Sequence, residues 1–153
     1  MKKVLVQQIN NNIATYEAQL LECIKRYAYE KDRYGINYSI AIAITNREHK
    51  MDDFQKTIRL TDSFVSLDEN LYGVIFASAD TELGIKAASN LLHKFEMQFF
   101  NSSIYLGIIS SEDENDGTKM VKKLFTTLTH SIVEGMQNMP IDYKHISNQY
   151  YAV

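Results

Sequence analysis

The chain has 153 residues, 45% of them hydrophobic and 23% charged, with a net charge of −3 and a pI near 5.8. That is enough for one domain with a real core, too apolar for disorder, and without the basic balance of a dedicated nucleic-acid binder. A single cysteine, Cys23, cannot close an internal disulfide and fits a reducing cytoplasm.

The start, Met1-Lys2-Lys3-Val4-Leu5-Val6, is charged like a signal peptide but too short in apolar residues for a secretory core or a membrane span. With one proline, Pro140, and no Ser/Gly-rich linker, residues 1–153 read as a single domain: an N-terminal helix (1–35), a core (36–136) and a tail (137–153). Ile9, Ile13, Tyr16, Leu20, Cys23 and Tyr27 form an apolar seam at heptad spacing and predict a helix over 7–33, closed by Gly35. Such a seam either packs on its own domain or dimerises as a short coiled coil, so Ile9, Ile13, Tyr16 and Leu20 are candidate interface residues. Its position on the seam predicts that Cys23 is packed.

Tyr38 to Thr45 read as a buried strand, with Ile40, Ile42 and Ile44 on one face and Ala41 and Ala43 on the other. Asp52 or Asp53 would cap a short helix reaching Leu60. Phe64–Leu67 and Leu71–Ala77 are two strands around the solvated turn Asp68-Glu69-Asn70, where Asp68 or Asn70 would take left-handed backbone. A helix follows from Asp80 to about Phe100 on Leu83, Ala87, Leu91, Leu92, Phe95 and Phe99, then a strand from Ile104 to Ile109. The acidic loop Glu112–Gly117 leads into a helix carrying Met120, Val121, Leu124, Phe125, Leu128, Ile132 and Val133, and the tail would add an edge strand. Between the terminal helices the order β-α-β-β-α-β spells the split βαβ, ferredoxin-like arrangement. That is an α+β sandwich whose antiparallel sheet carries its helices on one face.

This core resembles that of GGDEF (diguanylate cyclase) domains, and particular residues carry the resemblance. Arg59-Leu60-Thr61-Asp62 matches the family's R-x-x-D, and Ser63–Leu67 supply its five-residue spacer. Asp68-Glu69-Asn70-Leu71-Tyr72 then falls where the GGDEF letters stand, and Ser103-Ile104-Tyr105-Leu106-Gly107-Ile108 resembles a later glycine-bearing strand. The likeness spans residues 36–136.

The resemblance implies a reaction that joins two GTP molecules on two metal ions held by carboxylates, and this chain departs from it. Ile44 and Asn46 stand at the first-strand aspartate positions, Asp68 and Glu69 replace the turn glycines, and Leu71 replaces the glutamate. The stretch from Ile44 to Arg59 is about half the family's usual length. No cyclase activity, no metal site and no cofactor are expected. In the family R-x-x-D also binds cyclic di-GMP, so Arg59 and Asp62 are candidate contacts, arginine's planar fork matching guanine and phosphate. Their ordinary reading is a helix-end cation and a turn aspartate.

The two functions that follow are an inactive, bacterial and cytoplasmic cyclic di-GMP receptor, or a ligand-free module that dimerises or binds another signalling protein. Neither nucleic-acid binding nor membrane insertion is expected. His49, His93, His130 and His145 lack metal-ligand spacing, and the six glycines form no Walker or Rossmann loop. The run Asp113–Gly117 resembles the start of a calcium loop, but its glycine comes early and no twelfth-position glutamate fits.

Overall fold

Eight elements make up the computed structural model, which describes residues 2–46, 58–99 and 102–146. In chain order they are α1 (Lys2–Tyr34), β1 (Tyr38–Thr45), β2 (Ser63–Asp68), β3 (Leu71–Ala77), α2 (Thr81–Gln98), β4 (Ile104–Ser110), α3 (Gly117–Val133) and β5 (Pro140–Asp142). The helix predicted after Asp52 or Asp53 lies outside the described residues, apart from Ile58–Leu60, which form a bend and turn.

The sheet runs β2-β3-β1-β4-β5, antiparallel except for the parallel edge pair β4–β5. β1 lies at its centre and is buried at every position. Its alternation decides which layer each side chain enters. Ile40, Ile42 and Ile44 join a core with Leu20 and Ile24 of α1 and Leu124 and Leu128 of α3. Ala41 and Ala43 join a second core with Leu91, Leu92 and Phe95 of α2. Of the described helices, the core helix α2 lies on one face, as the ferredoxin-like order implies, and the terminal helices α1 and α3 cover the other. The physical reason is that β1 and its neighbours are apolar on both sides, and α1 adds a second helix beside α3.

The Ala face is thin because α2 comes close. A Cβ at Gly84 would overlap Ser39 Oγ, and Ser39 is itself fixed by donating to Ala79 O at 3.0 Å. Asp80 caps α2 by accepting from Leu83 N–H at 2.9 Å, and Asp116 caps α3 by accepting from Lys119 N–H at 3.0 Å.

α1 begins earlier than predicted, since Leu5 supplies another buried turn, and it ends at Gly35 with φ of 70°. Of its seam, Ile9, Tyr16, Leu20 and Tyr27 are buried in the chain's own core and Ile13 is half-buried. The interface assigned to Ile9, Tyr16 and Leu20 is thus corrected, because α3 and the sheet already cover them, while half-buried Ile13 stays at the edge of the α1–α3 groove. Cys23 is exposed rather than packed, because Ile24 turns inward instead. Burial and the Glu22 carboxylate push its thiol up, away from nucleophilic character. Leu83 and Val133 are also exposed, their places in the apolar stripes taken by Gly84 and Ile132.

The hairpin differs in detail. Asp68 pairs with Leu71, so the loop is two residues, and β2 carries an extra residue between Ser66 and Asp68. That bulge supplies the local twist. Neither Asp68 nor Asn70 takes positive φ; among the described non-glycine residues only Ser78 and Asn138 do.

Candidate functional site

Two places bear the chemistry the sequence pointed to: the hairpin end of the sheet, and the turn holding Arg59 and Asp62.

At the hairpin end, Ile44 is fully buried in the α1–α3 core and Asn46 is exposed just past β1. Leu71 and Tyr72 are buried in opposite cores, so neither faces a ligand. Among the described residues no group of three His, Cys, Asp or Glu side chains converges to hold a metal. The turn is not solvated as predicted, because α1 ties it down. Gln8 Nε2 donates to Asn70 Oδ1 at 2.7 Å, and Asn70 Nδ2 donates back to Gln8 Oε1 at 3.0 Å and to Thr45 O at 2.9 Å. Tyr16 Oη donates to Asp68 Oδ2 at 2.5 Å. Glu69 alone of the three turn residues is exposed.

The Tyr16 hydroxyl and the Glu69 N–H hold the Asp68 carboxyl below the usual aspartate range, while burial and Asp68 push the Tyr16 phenol up. A depressed carboxylate contributes stability above its unfolded value of about 4, and that stability is lost as pH falls through the folded value. Tyr16→Phe should cost about 1.5 kcal/mol near neutral pH, as expected for a hydrogen bond to a charged group. It should also flatten the acid limb of stability against pH, which urea unfolding at a series of pH values measures.

At the second place, Asp62 is 2% exposed at its side chain and is fully engaged. Its Oδ2 accepts from Arg59 Nε at 3.1 Å and Arg59 N–H at 3.3 Å; its Oδ1 accepts from Arg59 Nη2 at 3.0 Å and Ala77 N–H at 2.9 Å. Arg59 Nη2 also donates to Ala77 O at 2.7 Å. The carboxylate thus staples the turn to the end of β3 and fixes the guanidinium in one plane. Arg59 itself is 59% exposed at its side chain.

Arg59 stands between two clefts. One, about 220 Å³, opens toward α2 and is lined by Phe76, Asn90, Leu91 and Lys94. The other, about 370 Å³, opens toward α1 and is lined by Arg26, Glu30, Thr61 and Ser78. Asn90 and Lys94 were missed in the sequence although they sit at helical i,i+4 spacing. Only the docking of α2 reveals that this row faces Arg59.

His93 and His145 are exposed and His130 half-buried; His49 lies outside the described residues. The acidic run 112–116 is occupied by ion pairs, Lys123 to Glu114 at 2.7 Å and Lys144 to Asp113 at 3.2 Å. The tail supplies β5 with buried Ile141, and a short helical turn at 143–146 with buried Ile146. None of the described helices is long and apolar enough to cross a membrane.

No protein-family model and no curated protein matches the chain. Solved structures do. The GGDEF domain of YfiN (TpbB) from Pseudomonas aeruginosa superimposes with a TM-score of 0.68 at 10% identity, over 89% of this chain and 94% of that one. The GGDEF domain of DgcB from Caulobacter crescentus, solved with c-di-GMP, gives 0.62 at 10% identity over 80% and 84%. The diguanylate cyclase SiaD of Pseudomonas aeruginosa, solved with its activator SiaC, gives 0.66 at 7% identity over 92% and 67%. The fold is that of GGDEF domains.

Proposed function

We propose, from the GGDEF fold as premise, that this chain is a catalytically inactive signalling domain that binds cyclic di-GMP through Arg59. The observation that carries the reading is the guanidinium of Arg59, fixed by a buried carboxylate and facing a cleft that also holds Asn90 and Lys94. A pre-oriented fork loses little freedom on binding, and it matches guanine O6 and N7 or a phosphate. In this reading Arg59 touches the ligand and Asp62 positions Arg59. Solved domains of this fold hold c-di-GMP, which favours that ligand over an unrelated anion.

Inactivity is supported by the residues at the hairpin end. The Ile44 side chain has no oxygen to give a cation, Leu71 is buried, and α1 occupies the hydrogen-bonding groups of Asp68 and Asn70.

Calorimetric titration of the whole chain with cyclic di-GMP tests the ligand. Low-micromolar binding is expected, lost in Arg59→Ala and weakened about tenfold in Lys94→Ala. No heat from the wild type retires the receptor. Incubation with GTP and Mg²⁺ tests inactivity, and the appearance of a cyclic dinucleotide would overturn it.

A second reading, an interaction module, is favoured by one feature. Ile13, Phe125 and the exposed Val133 line an open groove of about 530 Å³ between α1 and α3. If the groove joins two copies, Val133→Glu should convert a dimer to monomer in sedimentation.

A further inference from the structure

We infer that the cleft between α1 and the Arg59 turn is a guanine subsite, in which Glu30 reads the base and Arg26 joins Arg59 on phosphate. This rests on Arg59 as a ligand contact and adds two α1 residues to it. The cleft is bounded by side chains of complementary type. Arg26 and Arg59 offer donors to phosphate oxygens, while Glu30 offers a carboxylate. Guanine presents N1–H and the N2 amine side by side on its Watson–Crick edge, a pair of donors that a carboxylate accepts together. Adenine presents an acceptor, N1, at the matching place, so the same carboxylate repels it.

The geometry keeps these groups ready and little committed to one another. Arg26 Nε stands 4.0 Å from Glu30 Oε1, with side chains 67% and 36% exposed, which is a loose pair that a ligand can enter. The Arg26 guanidinium lies 4.7 Å over the ring of Tyr27, and both side chains line the cleft. Tyr27 Oη lies 2.6 Å from Ser63 Oγ and donates to Thr61 O at 3.2 Å, so α1 is anchored to the turn that carries Arg59. On the far wall Ser78 takes φ of 52°, a left-handed backbone that a serine rarely adopts and that gathers at ligand sites. A nucleotide in this cleft would bridge α1 and the turn.

The test is titration of the full chain with cyclic di-GMP, GMP and cyclic di-AMP, in wild type, Glu30→Gln and Arg26→Ala. Both side chains are solvent-exposed enough for the variants to keep the wild-type melting curve. The expected result is guanine-selective binding, about tenfold or more weaker in each variant, as for loss of one bidentate contact. Binding of cyclic di-GMP unchanged in both variants overturns the subsite and leaves the receptor standing on the α2 cleft. Glu30-dependent binding of GMP without cyclic di-GMP supports the subsite and overturns the cyclic di-GMP receptor. Silence from all three ligands overturns both, and equal binding of cyclic di-AMP overturns the assignment of Glu30 as the base reader.

Discussion

Asp62→Ala is expected to lower the unfolding free energy by about 3 kcal/mol, although the residue lies in a turn. The carboxylate accepts four hydrogen bonds and is almost wholly buried. Truncation leaves the Ala77 N–H without its acceptor, a loss of about 1–3 kcal/mol, and removes the charge-assisted bonds from Arg59. The full penalty of a stranded buried ion does not apply, because Arg59 is 59% exposed and water takes over its charge. Asp62→Asn separates the two contributions. Its carbonyl can still accept from Ala77, so it should recover about half the loss without restoring the grip on Arg59. Urea unfolding of the three proteins measures this, and a wild-type midpoint for Asp62→Ala would remove the staple from the account. Cyclic di-GMP binding should weaken in both variants, since a guanidinium free to rotate loses its pre-orientation.

Gly107→Val is expected to cost about 3 kcal/mol or more, at the upper end of overpacking effects. Gly107 lies in β4 opposite Ile42 of β1, and its missing side chain faces α3. A Cβ there would come 3.1 Å from Leu128 N, 3.3 Å from Thr127 Cγ2 and 3.4 Å from Leu124 O. Two of those three atoms are helix backbone, which no rotamer change can move. Gly73 of β3 flanks Ile42 on its other side, where a Cβ would meet Leu20 of α1 at an ordinary 3.6 Å. The sheet thus has a shallow row, Gly73-Ile42-Gly107, into which α1 and α3 settle. The sharp difference in clearance predicts that Gly73→Ala is tolerated much better than Gly107→Ala, and thermal unfolding of that pair checks it.

The hairpin end and the Arg59 turn also differ in what their polar side chains do. At the hairpin end, α1 has absorbed the polar side chains into structure: the reciprocal amide pair of Gln8 and Asn70, and the bond from Tyr16 to Asp68. At the turn, Asp62 is spent inward and only Arg59 still faces solvent with donors to offer. In the proposed receptor, contact with the ligand at this turn would therefore fall to Arg59 together with residues outside the R-x-x-D motif.

The sequence by itself determined most of the local structure. Alternation of Ile and Ala placed the two faces of β1, the capping aspartates Asp80 and Asp116 started α2 and α3, and Gly35 stopped α1. These features are set by the period and chemistry of neighbouring residues, so they are readable along the chain. Spacing of Arg59, Asp62 and the hairpin was enough to point to the fold. What only the tertiary structure decided is where long-range partners meet. Whether the α1 seam faces a second copy or its own α3, and whether Cys23 or Ile24 turns inward, follows from how α1 docks against α3 and the sheet. The pairing of Gln8 with Asn70, and the approach of Arg26, Glu30 and Lys94 to Arg59, join residues far apart in the chain. Such contacts follow from how helices dock on the sheet, and no local pattern encodes that docking.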